Sequence, residues 1–311
     1  MGTLHHLITE AGRQGALDFG IVRAEVEAAA AYMADEEGGL SFLYSGWCQT
    51  ALPHRKLPDA DGWQVESERM TLIVEPGMRP GSAGKPVSIG VPYGSRARLI
   101  LIFLQSEAIK SRSREVELGG SLTAWLARLG IPLGGTSMAS VRNQAERLSL
   151  CRLTFRVRSD GATGLLNQSI VDTALFLDEP DGPPGKRKQF TERVTLSVGF
   201  FEQLQKHPVP LEEAAIKAVS NNSMALDVYA WLAYRLHVLR GDKLVPWRAL
   251  MAQFGAGFGR LDNFRARFLP NLHLALSVYP EAKVDVGDQG VMLHPSPPPV
   301  APAAKVRMLA R

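Results

Sequence analysis

The sequence predicts an α+β chain, mainly helical, with two tandem winged helix-turn-helix domains behind an N-terminal extension. Three observations carry that expectation. The first is an element order: a helix without internal Gly or Pro (Ser95 to Arg112), a short strand, two more helices, then a basic strand (Cys151 to Arg158). The second is that this order returns between Met224 and His294. There Trp247–Phe254 aligns without gaps on Leu122–Leu129, and Gly255 falls on Gly130. The third is charge. Met1 to Arg69 carries 5 basic and 11 acidic residues, Gly94 to Arg158 carries 11 and 4, and Asn221 to Asp285 carries 8 and 5. A net charge of +4 therefore hides a field suited to a polyanion partner on the later two-thirds.

The predicted boundaries are an N-terminal extension over 1–92, a first winged-helix domain over 93–198, a second over 199–294, and a disordered tail over 295–311. Residues 1–20 lack clear periodicity and read as frayed. Ile21 to Asp35 reads as a short amphipathic helix, stopped by Gly38-Gly39. Residues 40–69 are turn-rich, Met70 to Glu75 is a strand, and the Pro- and Gly-rich stretch 76–92 has linker composition. Ser95 to Arg112 is apolar nearly all round in its middle, as the buried spine of a domain is. Arg114 to Leu118 alternates like a strand. Ser121 caps a second helix, Leu122 to Leu129, and Thr136 or Ser137 caps a third that runs to about Leu150.

The third helix and the following strand hold the first set of contact residues. At 100° per residue, Met138, Val141, Ala145 and Leu148 share a core face. Ser140, Asn143 and Arg147 lie opposite, with Arg142 on the flank. Arg pairs with guanine and Asn with adenine through two hydrogen bonds each, so this face suits base edges in a major groove. In Cys151 to Arg158 the apolar residues alternate with Arg152, Arg156 and Arg158, which suit phosphates. Thr163 to Leu177 reads as the return strand. A basic loop tip, Lys186, Arg187 and Lys188, precedes a strand at Thr191 to Val198.

The second copy follows helical stretches at Phe200–Lys206 and Leu211–Ala218. It runs through a helix from Met224 to Leu239, a strand near Lys243 to Val245, Trp247 to Phe254, a helix from Arg260 to Tyr279, and a hairpin of Ala282–Val286 with Gly290–His294. In its last helix Leu261, Phe264, Phe268, Leu272 and Ala275 share a face. Asn263 and Arg267 lie opposite as base-reading positions, and Arg260 and Arg265 are phosphate positions near the N-terminal end.

Composition excludes several classes. The chain has 311 residues, 45% of them apolar, enough for two domains with cores. Cys48 and Cys151 are the only cysteines and read as buried, reduced thiols; no spacing suits a structural zinc. There is no leader-like start and no run of ~18 apolar residues, so a soluble, cytoplasmic protein without a membrane partner is expected. No phosphate-binding glycine loop follows a strand, and no Gly-x-Ser-x-Gly elbow occurs, so neither an enzyme nor a cofactor is expected.

Pro92 to Gly119, PYGSRARLILIFLQSEAIKSRSREVELG, resembles the RepA-type plasmid replication initiators of bacteria. So do Phe42 to Pro58, Thr71 to Gly77 and Val278 to Val286; the likeness covers roughly residues 20–290. The resemblance implies a non-enzymatic protein that binds repeated double-stranded sites at a plasmid origin, helps to open it, and recruits host replication proteins. A homodimer through the first winged-helix domain is a further expectation. The alternative is a winged-helix transcriptional repressor, or autoregulator, of its own operon.

Overall fold

The computed structural model describes residues 3–36, 38–159, 162–172 and 193–301. In chain order the N-terminal part holds α1 (Thr3–Asp18), α2 (Arg23–Met33), β1 (Leu40–Tyr44), β2 (Trp63–Glu66), β3 (Met70–Glu75), β4 (Gly77–Arg79) and β5 (Val87–Gly90). Then come α3 (Gly94–Ser111), β6 (Glu115–Glu117), α4 (Leu122–Arg128), α5 (Gly135–Leu150), β7 (Arg152–Ser159), β8 (Ala162–Gln168) and β9 (Arg193–Thr195). The last part holds α6 (Val198–Lys206), β10 (Pro208–Glu212), α7 (Glu213–Ala218), α8 (Ser223–Arg235), β11 (Lys243–Pro246), α9 (Trp247–Phe254), α10 (Leu261–Leu276), β12 (Val284–Val286) and β13 (Gly290–Leu293). The chain is thus a mixture of helix and strand. It divides into two units, one of residues 1–51, 65–70 and 207–311, the other of 52–64 and 71–206.

The second unit is built on α3. Its buried residues run all round, from Ala97 to Ile109, because neighbours cover every side. Arg98 is 5% exposed, and its guanidinium donates to the carbonyls of Leu52 (2.7 Å), Pro53 (3.2 Å) and Gly94 (2.9 Å). Those bonds are what make a buried cation tolerable. α3 ends where Arg112 turns left-handed at φ 53°. Ser121 then caps α4, accepting from the Ala124 N–H at 3.1 Å, and α4 buries Leu122, Trp125 and Leu126. α5 packs on both α3 and α4. β7 pairs with β8 in antiparallel register from Leu153↔Gln168 to Ser159↔Ala162, within a sheet ordered β2-β3-β7-β8. β6 pairs with β9.

The first unit repeats the order helix, strand, helix, helix, hairpin from α8 to β13. α8 is buried continuously from Met224 to Ala233 and packs on α10. Asn222 caps it, accepting from the Ala225 N–H at 3.2 Å. The aligned helices α4 and α9 bury equivalent residues: Leu122 and Trp247, Trp125 and Leu250. Gly255 is required because a Cβ there would press on the Phe264 ring. β11, β13 and β12 form a three-stranded sheet in that order. An aromatic cluster fills the space beneath: Phe254 and Phe264 lie 5.6 and 5.2 Å from Phe268, and Trp247 lies 6.1 Å away. In the same unit α2 packs on α1, α7 and α10.

Several segments differ from expectation, each for a physical reason. Residues 3–18, expected to fray, form α1. Gly12 (φ 71°, ψ 179°) splits it into two helical pieces, which resets the phase and hides the periodicity. The turn-rich passage holds β1, whose five residues are all buried, so it shows no alternation. The linker-like stretch forms the hairpin β4–β5. Gly77 there lies so close to Leu150 that a Cβ would meet its backbone. Leu211 and Glu212 belong to β10, opposite Ser41 and Leu40, and only Glu213 onward is helical. Gly134, not Thr136 or Ser137, occupies the cap position of α5. Composition predicts disorder from Pro295. Ser296 and Val300 are instead buried, and the Pro297 carbonyl accepts from the Tyr279 hydroxyl at 2.6 Å. Residues 302–311 lie outside the described residues.

Candidate nucleic-acid interface

In the second unit three of the four residues read as the core face of α5, Val141, Ala145 and Leu148, are at most 1% exposed, and the fourth, Met138, is half-buried. Asn143 is exposed, while Ser140 and Arg142 are half-buried.

Arg147 departs from expectation, being 3% exposed and not on an open face. Its Nη2 pairs with Asp59 Oδ1 at 3.0 Å, Nη1 donates to the Val91 carbonyl at 3.1 Å, and Nε donates to Asn143 Oδ1 at 2.9 Å. The guanidinium carbon lies 5.2 Å from the Tyr93 ring centroid. A helical wheel accounts for one buried face only. Here the Asp59 segment and the chain from β5 to Tyr93 cover a second. Burial disfavours ionisation of Asp59, but hydrogen bonds from Arg147 and Lys56 outweigh it and hold the carboxyl below its usual range. Gly90 makes room for this bridge. Its φ of 77° favours glycine, and a Cβ would collide with Arg147 Nη1 and Asp59 Oδ1.

β7 follows α5 directly. Cys151, Leu153 and Phe155 are fully buried on one side, and Arg152, Arg156 and Arg158 are exposed on the other. Arg158 Nη2 also reaches Thr71 Oγ1 at 3.5 Å. Three guanidiniums along one strand face can engage successive phosphates. The predicted basic tip, Lys186, Arg187 and Lys188, lies outside the described residues.

In the first unit α10 buries Phe264, Phe268, Leu272 and Ala275 and exposes Asn263, Ala266, Arg267 and Pro270. Arg260 is exposed, 3.5 Å from the equally exposed Asp262, a pairing that solvent weakens. Arg265 is half-buried, its guanidinium carbon 4.8 Å from the Trp247 ring centroid, so much of its surface is used in stacking. Arg248, exposed at the start of α9, is a further cation that a wheel drawn for α10 alone passes over. The β12–β13 hairpin is tied to the start of α9 through Trp247, whose Nε1 donates to the Gly287 carbonyl at 3.0 Å. It is also held by His294, with Nδ1 2.8 Å from Asp242 Oδ1 and Nε2 2.9 Å from Asp285 Oδ2.

Among the described residues no three His, Cys, Asp or Glu side chains converge to hold a metal, and no helix is long and apolar enough to cross a membrane. Both thiols are buried, and burial pushes Cys151 up to about 12 and Cys48 higher still. What the exposed groups offer is a set of cations and amides on helix and strand faces, suited to a polyanion with readable edges.

Residues 91–247 match the family described as plasmid-encoded RepA protein. That is half of the sequence, and the chain belongs to this family of plasmid replication proteins. A crystal structure of domains 2 and 3 of RctB shares the fold, with a TM-score of 0.51 and 10% identity, covering 83% of this chain and 99% of that one. A second RctB structure of domains 2–3 gives a TM-score of 0.48 and 12% identity, covering 79% of this chain and 93% of that one. No curated protein sequence matches the chain.

Proposed function

We propose that this chain initiates plasmid replication by binding repeated double-stranded sites at the origin through two winged helices, one in each unit. α5 and α10 would enter the major groove, and β7 with its return strand, and β12 with β13, would serve as the wings. The observation that carries this reading is the exposed arginine row of β7, set immediately after a helix that exposes Asn143. Phosphate contacts of that kind fix register, and the helix side chains read bases. The repeated helix–strand–helix–helix–hairpin order and the family membership support it. Bending across several sites would favour opening of a flexible segment, since such steps cost less to deform. Recruitment of host replication proteins and a homodimer through the first winged helix belong to the same proposal. Binding, not catalysis, is the activity.

A salt-series titration tests it. The probes are duplex DNA flanking the protein's own gene, the same DNA shuffled, and its separated strands. Tight binding to a repeated duplex segment, with a steep salt slope and a wide margin over the shuffled control, is expected. Equal, weak binding to every probe would overturn the proposal. Binding confined to the gene's promoter would replace it with the repressor reading.

A further inference from the structure

Resting on the reading of α5 as a base-reading helix, we propose that Asn143 reads its base as a hydrogen-bond donor only. It would select a major-groove acceptor, guanine above all, and would not form the paired bonds with adenine that asparagine otherwise favours.

The Asn143 carboxamide is not free to choose its orientation. Tyr93 N–H donates to Gln144 Oε1 at 2.8 Å. A backbone N–H can only donate, so this bond places the oxygen of Gln144 toward Tyr93 and leaves its Nε2 as donor on the other side. That Nε2 donates to Asn143 Oδ1 at 3.1 Å. Arg147 Nε, which also can only donate, reaches the same oxygen at 2.9 Å. Two donors therefore occupy both lone pairs of Oδ1, and neither can be reversed. Arg147 is itself fixed by Asp59, Val91 and the Tyr93 ring.

The group left to a ligand is the Nδ2 amide. Adenine offers an acceptor at N7 beside a donor at N6, so its paired recognition needs the oxygen of asparagine as well as its nitrogen. With the oxygen engaged, the N6 amine faces a second donor and the contact fails. Guanine offers two neighbouring acceptors, N7 and O6, which an amide can approach together. Asn143 is thus the residue that sets specificity, while Arg147, Gln144 and Asp59 are positioning residues.

The test is selection by the full chain from a pool of duplexes with a randomised central stretch. Wild type is compared with Asn143→Ala, Asn143→Asp and Arg147→Met, and all four are checked by thermal melting. Wild type is expected to select a motif in which one guanine depends on Asn143. Asn143→Ala should reduce the preference at that position about tenfold and leave the others unchanged. Asn143→Asp keeps the bond from Arg147 but presents an oxygen, and should move that position toward cytosine, whose N4 donates. Arg147→Met removes the Nε donor and frees one lone pair of Asn143 Oδ1, so adenine should become tolerated at that position alone; a merely structural role would instead weaken all positions together. If a motif is selected but its Asn143-dependent base is adenine, or if neither Asn143 variant moves any position, the inference is overturned while the initiator reading stands. If wild type selects no motif at all, the initiator reading fails and takes the inference with it.

Discussion

Replacing Arg147 by alanine would remove a side chain that is 3% exposed and joins Asp59, Val91, Asn143 and Tyr93. The bond to Val91 is buried and those to Asn143 and Asp59 are part-buried, and Asp59 keeps contact with water, so the cost should be about 2–4 kcal/mol. Urea denaturation would measure it as a lowered midpoint; Gly90→Ala should lower the midpoint too, by forcing the same bridge apart. The exposed arginines behave in the opposite way. Arg152→Ala or Arg156→Ala should leave stability within about 0.5 kcal/mol but weaken binding to all duplexes and lower the salt slope by roughly one unit each. A salt series on the two variants checks this. The contrast explains what was legible. The exposed cations of β7 alternate with its buried Leu153 and Phe155, a local pattern of period two. The burial of Arg147 depends on Asp59, 88 residues away, and no local pattern records it.

Elements with their own signals are legible in the sequence. α3 lacks Gly and Pro inside, Ser121 and Asn222 cap the helices that follow them, and β3 occupies the predicted Met70–Glu75. β1, α1 and the β4–β5 hairpin are not. β1 is held by β10, far along the chain, α1 loses its phase at Gly12, and the Pro and Gly content of the β4–β5 hairpin reads as linker, so propensity and periodicity say little about them. The last hairpin adds a pH dependence. Hydrogen bonds from His294 to Asp242 and then Asp285 raise its pKa above the ordinary 6.5. A protonated imidazole donates from both nitrogens, so the clamp is complete below the unfolded value near 6.5 and is lost as pH rises through the higher folded value. Amide protection in β12 and β13, taken relative to the unstructured exchange rate at each pH, should therefore fall on passing from mildly acidic to alkaline solution. Asp285→Asn should shift that transition to lower pH.

At the scale of the molecule, the family match and the folded units do not coincide. The matched segment, residues 91–247, contains β7 without its neighbour β3, β10 without β1, and α8 without α10. It leaves Arg147 without Asp59 as well. Residues 91–247 expressed alone should lack a cooperative thermal transition, whereas the full chain should show one, and circular dichroism melts would separate the two. Two units could be anticipated from length and from the repeated element order. Their discontinuity could not, because the N-terminal residues return to the C-terminal part only through long-range contacts, the pairing of β1 with β10 and the packing of α2 on α7 and α10.

That pairing matters before the protein is finished. Leu40 to Tyr44 leave the ribosome about 170 residues ahead of the strand that covers them, a delay on the order of ten seconds or more at ordinary synthesis rates. Residues 52–206 meanwhile contain nearly all that the second unit needs, so that unit can close while the first is still a nascent chain. Throughout this interval the five apolar-rich residues of β1, every one buried in the finished fold, stand as an unpaired edge open to other chains. Early nascent chains, and those cut short before residue 207, are for that reason the forms of this protein most in need of a chaperone.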